Sequence, residues 1–177
     1  MSKSDQLDLR ETIRQLHHEK DTTYRDAWKK RGEVISILAN IARKVDRIMY
    51  VLDGAPTTRD EALTDTAVDL LVYSLKYQTY LADLDPAVAQ TLFAGSNLDL
   101  PYSEGPDGFE HLLSQVDMDG LHAQCLSLAE AARFVLRYFD ELEACFAGLA
   151  TIQSVPARLV RVQALTDATA CLLAASR

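Results

Sequence analysis

The chain has 177 residues, 48% hydrophobic and 25% charged, which fits one compact globular domain and excludes an intrinsically disordered protein. The formal net charge of −8 argues against non-specific binding to nucleic acid or to an anionic membrane, because both require a surplus of basic residues. It leaves room for a small phosphorylated ligand held through a divalent cation.

The first half of the chain predicts a pair of long helices. Residues 5–20 indicate a short amphipathic helix, and a longer helix is predicted from Thr23 to Leu52, with Gly32 as the point where a kink or break is expected. Apolar residues along the longer helix alternate in steps of four and three, which is typical of a helix packed against another: Val34, Leu38, Ile41, Val45, Ile48 and Leu52.

A second long helix is predicted from Arg59 to Leu84, where Asp85-Pro86 ends it. The short connection DGAPTT between the two long helices predicts that they form an antiparallel hairpin. No strand pattern is visible, so we expect an all-α helical bundle.

The second half predicts a further hairpin. Residues 86–94 indicate one short helix, and residues 95–108, which contain two prolines and three glycines, indicate an irregular linker. Helices are then predicted over residues 121–149 and 156–176, with Pro156 in a first turn. The expected organisation is an N-terminal unit (1–94), a linker (95–108) and a C-terminal helical hairpin (109–177) packed on the first.

Two helical segments resemble each other. EALTDTAVDLLVYS (61–74) and QALTDATACLLAAS (163–176) share ALTD, a Leu-Leu pair and a final serine at matching positions. Two interpretations stay open: a degenerate duplication of the hairpin, or chance similarity between two helices rich in alanine and leucine.

The cysteines and the N-terminus concern the cellular compartment. Cys125, Cys145 and Cys171 are widely spaced, lie in apolar stretches and form no Cys-x-x-Cys motif, so we expect buried thiols in a reducing compartment. The polar start MSKSDQLDLRETIRQ shows no signal peptide, and no apolar run is long enough to cross a bilayer. We therefore expect a soluble, cytoplasmic protein without a membrane partner.

An acidic stripe lies on the second long helix. Glu61, Asp65 and Asp69 follow one another at i, i+4 and i+8, so their carboxylates share one face. Mg²⁺ or Mn²⁺ would relieve their mutual repulsion, since both ions prefer oxygen ligands. The alternative is a solvated face that favours the positive N-terminal end of the helix. Asp69 is harder to explain that way, because its apolar neighbours in VDLLVY predict a buried, partnered carboxylate.

A polar stripe follows the first long helix, one residue away from its apolar seam. It consists of Glu33, Asn40, Lys44 and Arg47. Tyr24 and Trp28, one turn apart, are candidates for stacking on a base, although a role in the core or at the end of the hairpin is an equal alternative.

Three segments together resemble a known family: YRDAWKKRG (24–32), IARKVDRI (41–48) and EALTDTAVDLLVY (61–73). They are similar to the MazG-like all-α nucleotide pyrophosphohydrolases, in particular to the short phage and actinobacterial type related to nucleotide-modification-associated domains. The resemblance covers residues 24–84. It implies an enzyme that hydrolyses a nucleoside triphosphate to monophosphate and pyrophosphate with Mg²⁺ or Mn²⁺.

The resemblance also implies roles for individual residues. Glu61, Asp65 and Asp69 would be the catalytic, metal-binding carboxylates, and Lys44 and Arg47 would meet the phosphates. The family's Glu-x-x-Glu pair on the first helix is missing here, because Ser36 follows Glu33 at i+3. Glu33 or Asp46 would then be the substitute ligand, and neither lies in a matching motif. The incomplete ligand set predicts a homodimer that completes the site. The rival function is a non-catalytic helical module that binds a nucleotide or another protein.

Overall fold

The computed structural model describes residues 3–53, 59–117, 127–147 and 152–176, and for residues 3–7, 20, 23–26 and 59–62 it describes the backbone alone. Seven α-helices lie in these ranges, and no strand occurs in them, which confirms the all-α prediction. They are α1 (Lys3–Tyr24), α2 (Ala39–Leu52), α3 (Arg59–Leu84), α4 (Pro86–Phe93), α5 (Asp107–Gln115), α6 (Leu128–Glu143) and α7 (Val155–Ala175).

The prediction of one continuous helix from Thr23 to Leu52 is wrong. After α1 the chain forms a short 3₁₀ turn (Arg25–Trp28), and a π-helical segment (Glu33–Leu38) leads into α2. Gly32 separates the two with φ 80° and ψ −177°, a backbone conformation that is essentially restricted to glycine. The break expected at Gly32 is therefore confirmed, and its cause is backbone conformation rather than low helix propensity alone.

The second long helix has the predicted bounds. α3 ends at Leu84, and Asp85 then caps α4 by accepting a hydrogen bond from the backbone N–H of Ala87 over 2.8 Å. Pro86 occupies the first turn of α4, where a missing N–H costs nothing. α3 lies at the centre of the fold and contacts α1, α2, α4, α5 and α7.

The sequence did not predict α5, a short helix that begins inside the expected linker and extends beyond it. α5 begins at Asp107, and Gly108 lies so close to the backbone carbonyl of Tyr102 that a Cβ would collide with it. Glycine therefore serves close packing here, whereas in the sequence it indicated a loop. Arg10 of α1 fixes the end of α5 by donating hydrogen bonds to the carbonyls of Leu113 and Val116, over 2.5 and 2.7 Å.

The second hairpin consists of α6 and α7. Ser127 and Ser154 cap the two helices through their hydroxyl oxygens, so both helices start where side-chain acceptors are available. α6 ends at Glu143 and a 3₁₀ turn follows, which is earlier than the predicted end at residue 149, a residue outside the described ranges. Arg161 of α7 donates to Glu141 of α6 over 2.9 Å, as expected of antiparallel neighbours.

The two hairpins form one bundle, in which α7 packs antiparallel on α3. The amide of Gln78 donates to the hydroxyl of Thr166 over 2.9 Å, and the hydroxyls of Thr64 and Ser176 lie 3.4 Å apart. The two similar segments therefore pack directly against each other, each in the second helix of its hairpin. Duplication stays a hypothesis that this arrangement suits.

Two sequence predictions concern membranes and thiols. Within the described ranges, no helix combines the length and apolarity that a bilayer crossing requires. Cys145 is a buried free thiol, as expected. The thiol prediction is wrong for Cys171, which is disulfide-bonded.

Candidate functional site

The centre of the candidate site is an ion pair across the α2–α3 hairpin. Nζ of Lys44 lies 2.5 Å from Oδ2 of Asp69, and the two side chains are 23% and 19% exposed. Lys44 reaches this position because it lies between Ile41 and Val45, which are fully buried against α3. The pair therefore lies at the edge of the apolar seam, partly desolvated and still open to solvent.

One further charge on each helix extends this face. Arg47 is exposed three residues after Lys44, and Asp65 is exposed four residues before Asp69. Because the helices are antiparallel, both lie toward the same end of the hairpin. We call Lys44, Arg47, Asp65 and Asp69 the hairpin face. It places two carboxylates and two cations on neighbouring turns of α2 and α3, with Lys44 and Asp69 in direct contact.

The donor chemistry of the hairpin face fits a hard cation in part. Carboxylate oxygens one helical turn apart are ligands that Mg²⁺ and Mn²⁺ accept. The described residues contain no group of three or more His, Cys, Asp or Glu side chains able to hold a metal ion. The third predicted ligand, Glu61, lies in the first turns of α3, and its side chain is outside the described part of the chain.

Glu33 lies in a different polar centre. Its carboxylate accepts hydrogen bonds from the hydroxyl of Tyr77 and from Nε of Arg158, the latter over 2.8 Å. Tyr77 is eight residues beyond Asp69, roughly 12 Å along α3. The structure thus does not bring Glu33 to the hairpin face. Burial, followed by the hydrogen bond to Glu33, raises the pKa of the Tyr77 hydroxyl, so it remains a donor.

Arg158 is the charged residue that sequence reasoning missed in this centre. It is 6% exposed, and Phe146 lies 5.6 Å from its guanidinium carbon. One signal was available: Arg158 shares the i, i+4, i+7 spacing of the buried residues Val162 and Leu165, which places a guanidinium on the apolar face of α7. A charge there predicts a buried partner without identifying it.

Trp28 occupies the core position that was the alternative to base stacking. It is 6% exposed, and the ammonium of Lys76 lies 4.9 Å from the centre of its ring. Lys76 is itself buried and paired with Asp21 over 3.2 Å. The ring therefore offers little free surface for a base. The side chain of Tyr24 lies outside the described residues.

His17 is a further buried polar group between α1 and α5. Its ring stacks on Phe109 with ring centres 3.8 Å apart and planes 3° apart. Desolvation, aided by the positive charge of Lys76, lowers the pKa of His17 to about 4. The ring is therefore neutral at physiological pH.

The hairpin face is the best candidate site in the described part of the chain. It combines acidic and basic groups that remain accessible, whereas the Glu33 centre is enclosed. Comparison with protein-family models, with curated proteins and with solved structures found no match for this chain.

Proposed function

We propose that the hairpin face binds a nucleoside triphosphate together with Mg²⁺ or Mn²⁺ and hydrolyses it to monophosphate and pyrophosphate. The observation that carries the proposal is the partly exposed pair of Lys44 and Asp69, with Arg47 and Asp65 one turn away on either helix. The resemblance of residues 24–84 to MazG-like pyrophosphohydrolases supports the same assignment.

Each side chain then has a defined task. Asp65 and Asp69 hold the cation, which when bound neutralises the triphosphate and polarises its phosphorus. Lys44, whose side chain is 23% exposed and carries its ammonium on a four-carbon stem, exchanges Asp69 for a phosphate oxygen. Arg47, exposed beside it, binds a second phosphate oxygen through its planar guanidinium. The basic groups stabilise the negative charge of the transition state and position the substrate.

A second candidate function is a non-catalytic helical module that binds a nucleotide or a protein chain. One observation favours it: the carboxylates of Asp69 and Glu33 are already neutralised within the protein, by Lys44 and Arg158. In that case the Lys44–Asp69 pair stabilises the hairpin and has no catalytic task. The two functions differ in whether Asp69 is required for turnover or for folding.

Pyrophosphate release from a panel of NTPs and dNTPs with Mg²⁺ tests the hydrolase. We expect Asp69→Asn to abolish release while retaining the fold, and Asp140→Asn, an exposed carboxylate on α6, to leave release unchanged. Calorimetric binding of a nucleotide with Mg²⁺ but without turnover would favour the binding module. An Asp69→Asn protein with a lowered melting temperature and full turnover per folded molecule would assign Asp69 to structure.

The homodimer predicted from the incomplete ligand set remains a proposal. In the structure, α7 covers α3 within one chain, through contacts such as the bond between Gln78 and Thr166. This arrangement suits a monomer with two similar halves as an alternative to two copies. Light scattering at the monomer mass would contradict the dimer and any site shared between chains.

A further inference from the structure

A cleft of about 340 Å³ lies where α3, α5 and α7 meet the end of α4, and none of its lining residues belongs to the hairpin face. The buried aliphatic side chains Leu75, Leu92, Leu112 and Val116 form its floor. Its size lies within the range of small-molecule pockets, which normally combine apolar side chains with a few convergent polar groups.

The first polar group is the side-chain amide of Gln78, which is 4% exposed. Its Nε2 donates to the hydroxyl of Thr166 over 2.9 Å, and that hydroxyl donates in turn to the carbonyl of Val162 over 2.8 Å. The single hydroxyl hydrogen of Thr166 is already donated to Val162, so Gln78 must be the donor in its bond to Thr166. This fixes the orientation of the Gln78 amide.

The carbonyl oxygen of Gln78 is consequently available to a ligand. Across the described ranges, no protein donor is recorded for this oxygen, and no side-chain oxygen or nitrogen is both fully enclosed and unpaired. The oxygen of Gln78 therefore opens to the cleft, where a ligand N–H could meet it. Buried amide oxygens normally accept at least one hydrogen bond.

The second polar group lies at the rim. Asp167 and Gln163 line the cleft from α7, and no hydrogen bond or ion pair joins them to another described side chain. Although Asp167 reaches solvent, desolvation by its neighbours raises the pKa of its carboxyl, and the carboxylate of Asp117 adds to that shift. Among the described residues that line the cleft there is no Lys, Arg or His side chain.

We propose that this cleft binds a small organic cation of the amidinium or guanidinium class with an apolar body. Asp167 accepts two parallel N–H groups from the planar cation, as carboxylates do from guanidinium groups. Gln78 accepts a further N–H at the floor, and the aliphatic residues cover the body of the ligand. The carboxylate of Asp167 at the rim disfavours a phosphate or carboxylate ligand, and the described lining shares no residue with the hairpin face, so this site is separate from the proposed hydrolase.

Benzamidine and its neutral isostere benzamide are the probes that test the proposal. In a ¹H–¹⁵N NMR titration we expect saturable shifts for the side-chain amides of Gln78 and Gln163 with benzamidine, and binding of benzamide at least about tenfold weaker. Asp167→Asn should weaken benzamidine binding by about tenfold or more, since it removes the charged acceptor. The matched control Asp140→Asn removes an exposed charge elsewhere and should leave affinity unchanged.

Three outcomes would overturn the proposal. They are equal binding of benzamide and benzamidine, shifts that map away from Gln78, and unchanged affinity in Asp167→Asn. Asp167 is exposed, so its variant is expected to fold, and the spectrum without ligand verifies this. Gln78→Met is a second test of the proposal, because it removes the side-chain oxygen of Gln78 that would accept the ligand N–H while keeping the side-chain volume nearly constant. None of these measurements involves nucleotide turnover, so failure here leaves the hydrolase proposal standing.

Discussion

Nε of Arg158, in the first turn of α7, donates a hydrogen bond over 2.8 Å to Oε1 of Glu33, which begins the π-helical segment before α2. The two side chains are only 7% and 13% exposed. Tyr77 of α3 donates to the same carboxylate. The largely desolvated carboxylate of Glu33 therefore connects the two hairpins through its hydrogen bonds to Tyr77 and Arg158.

We predict that Arg158→Met lowers the free energy of unfolding by about 3–5 kcal/mol, because it leaves the Glu33 carboxylate buried without its cation. Urea unfolding measures this loss. The matched control is Arg161→Met on the same helix, whose pair with Glu141 is 44% and 30% exposed. Such a surface pair contributes about 0–1 kcal/mol.

The double variant Glu33→Gln, Arg158→Met identifies the cause of that loss. It removes both charges, so part of the lost stability should return relative to Arg158→Met alone. If Arg158→Met costs no more than Arg161→Met, the pair does not hold the hairpins together. If the double variant is less stable than either single variant, packing rather than charge dominates this centre.

Gly32→Ala is predicted to lower the free energy of unfolding by about 1–3 kcal/mol, because a residue with a Cβ is strained at φ 80° and ψ −177°. Open space surrounds the added methyl group, so steric collision with neighbours does not contribute. Gly32→Asn should not restore stability, since asparagine tolerates the left-handed helical region but not this one. An alanine variant of unchanged stability and higher helicity would show that the break is not imposed by the backbone.

The parts of the fold that the sequence predicted are those with local signals. α3 has its predicted bounds because Asp85-Pro86 stops a long periodic helix, and Gly32 was recognisable as a break. The 3₁₀ and π-helical turns around Gly32 were not predictable, since π-helical geometry has no short sequence signature. α5 was missed because the need for Gly108 arises from the carbonyl of Tyr102, a tertiary contact.

The same distinction applies to the polar centres. The apolar residues of α2, spaced alternately by four and three, place Lys44 beside the interface, and the apolar neighbours of Asp69 predicted a partnered carboxylate. The structure identifies Lys44 as a partner. The partnership of Glu33 with Arg158 joins residues from different hairpins. Its prediction requires knowledge of how the hairpins dock, which helix periodicity does not contain.

His17 predicts a pH dependence of stability with a definite sign. The pKa of the folded state is lowered to about 4, below the unfolded value of 6.5. Below pH 6.5 the unfolded chain binds a proton that the folded protein does not, so stability falls as pH decreases from 6.5 to 4. The loss attributable to His17 is roughly 3 kcal/mol across that window.

Urea unfolding of the wild type and His17→Phe between pH 4.5 and 7.5 measures this effect. The slope of the free energy of unfolding against pH should be steeper for the wild type. His17→Phe retains an aromatic ring against Phe109 and cannot titrate, so its stability should vary less with pH. His18→Gln is the control, since the neighbouring His18 is exposed. Equal slopes in the wild type and His17→Phe, or an NMR titration of His17 near 6.5, would contradict a desolvated ring.

If the proposed hydrolysis occurs, the two cations of the hairpin face, Lys44 and Arg47, should differ in their effects on substrate and metal binding. Arg47→Ala should mainly raise KM, because an exposed phosphate contact serves ground and transition states alike. Lys44→Met should raise KM as well, but it also releases Asp69 from a 2.5 Å ion pair. In this variant Mg²⁺ no longer competes with the Lys44 ammonium for Asp69, so it should bind more tightly than to the wild type.

Thermal unfolding with and without Mg²⁺ reveals that difference, since a ligand raises the melting temperature according to its affinity for the folded state. Lys44→Met is expected to melt below the wild type without metal and to gain more than the wild type when Mg²⁺ is added. Arg47→Ala should change neither the melting temperature without metal nor the gain on adding Mg²⁺, because its side chain is exposed. If Mg²⁺ stabilises neither the wild type nor Lys44→Met, the hairpin face holds no metal. The pair of Lys44 and Asp69 is then a structural contact of the bundle.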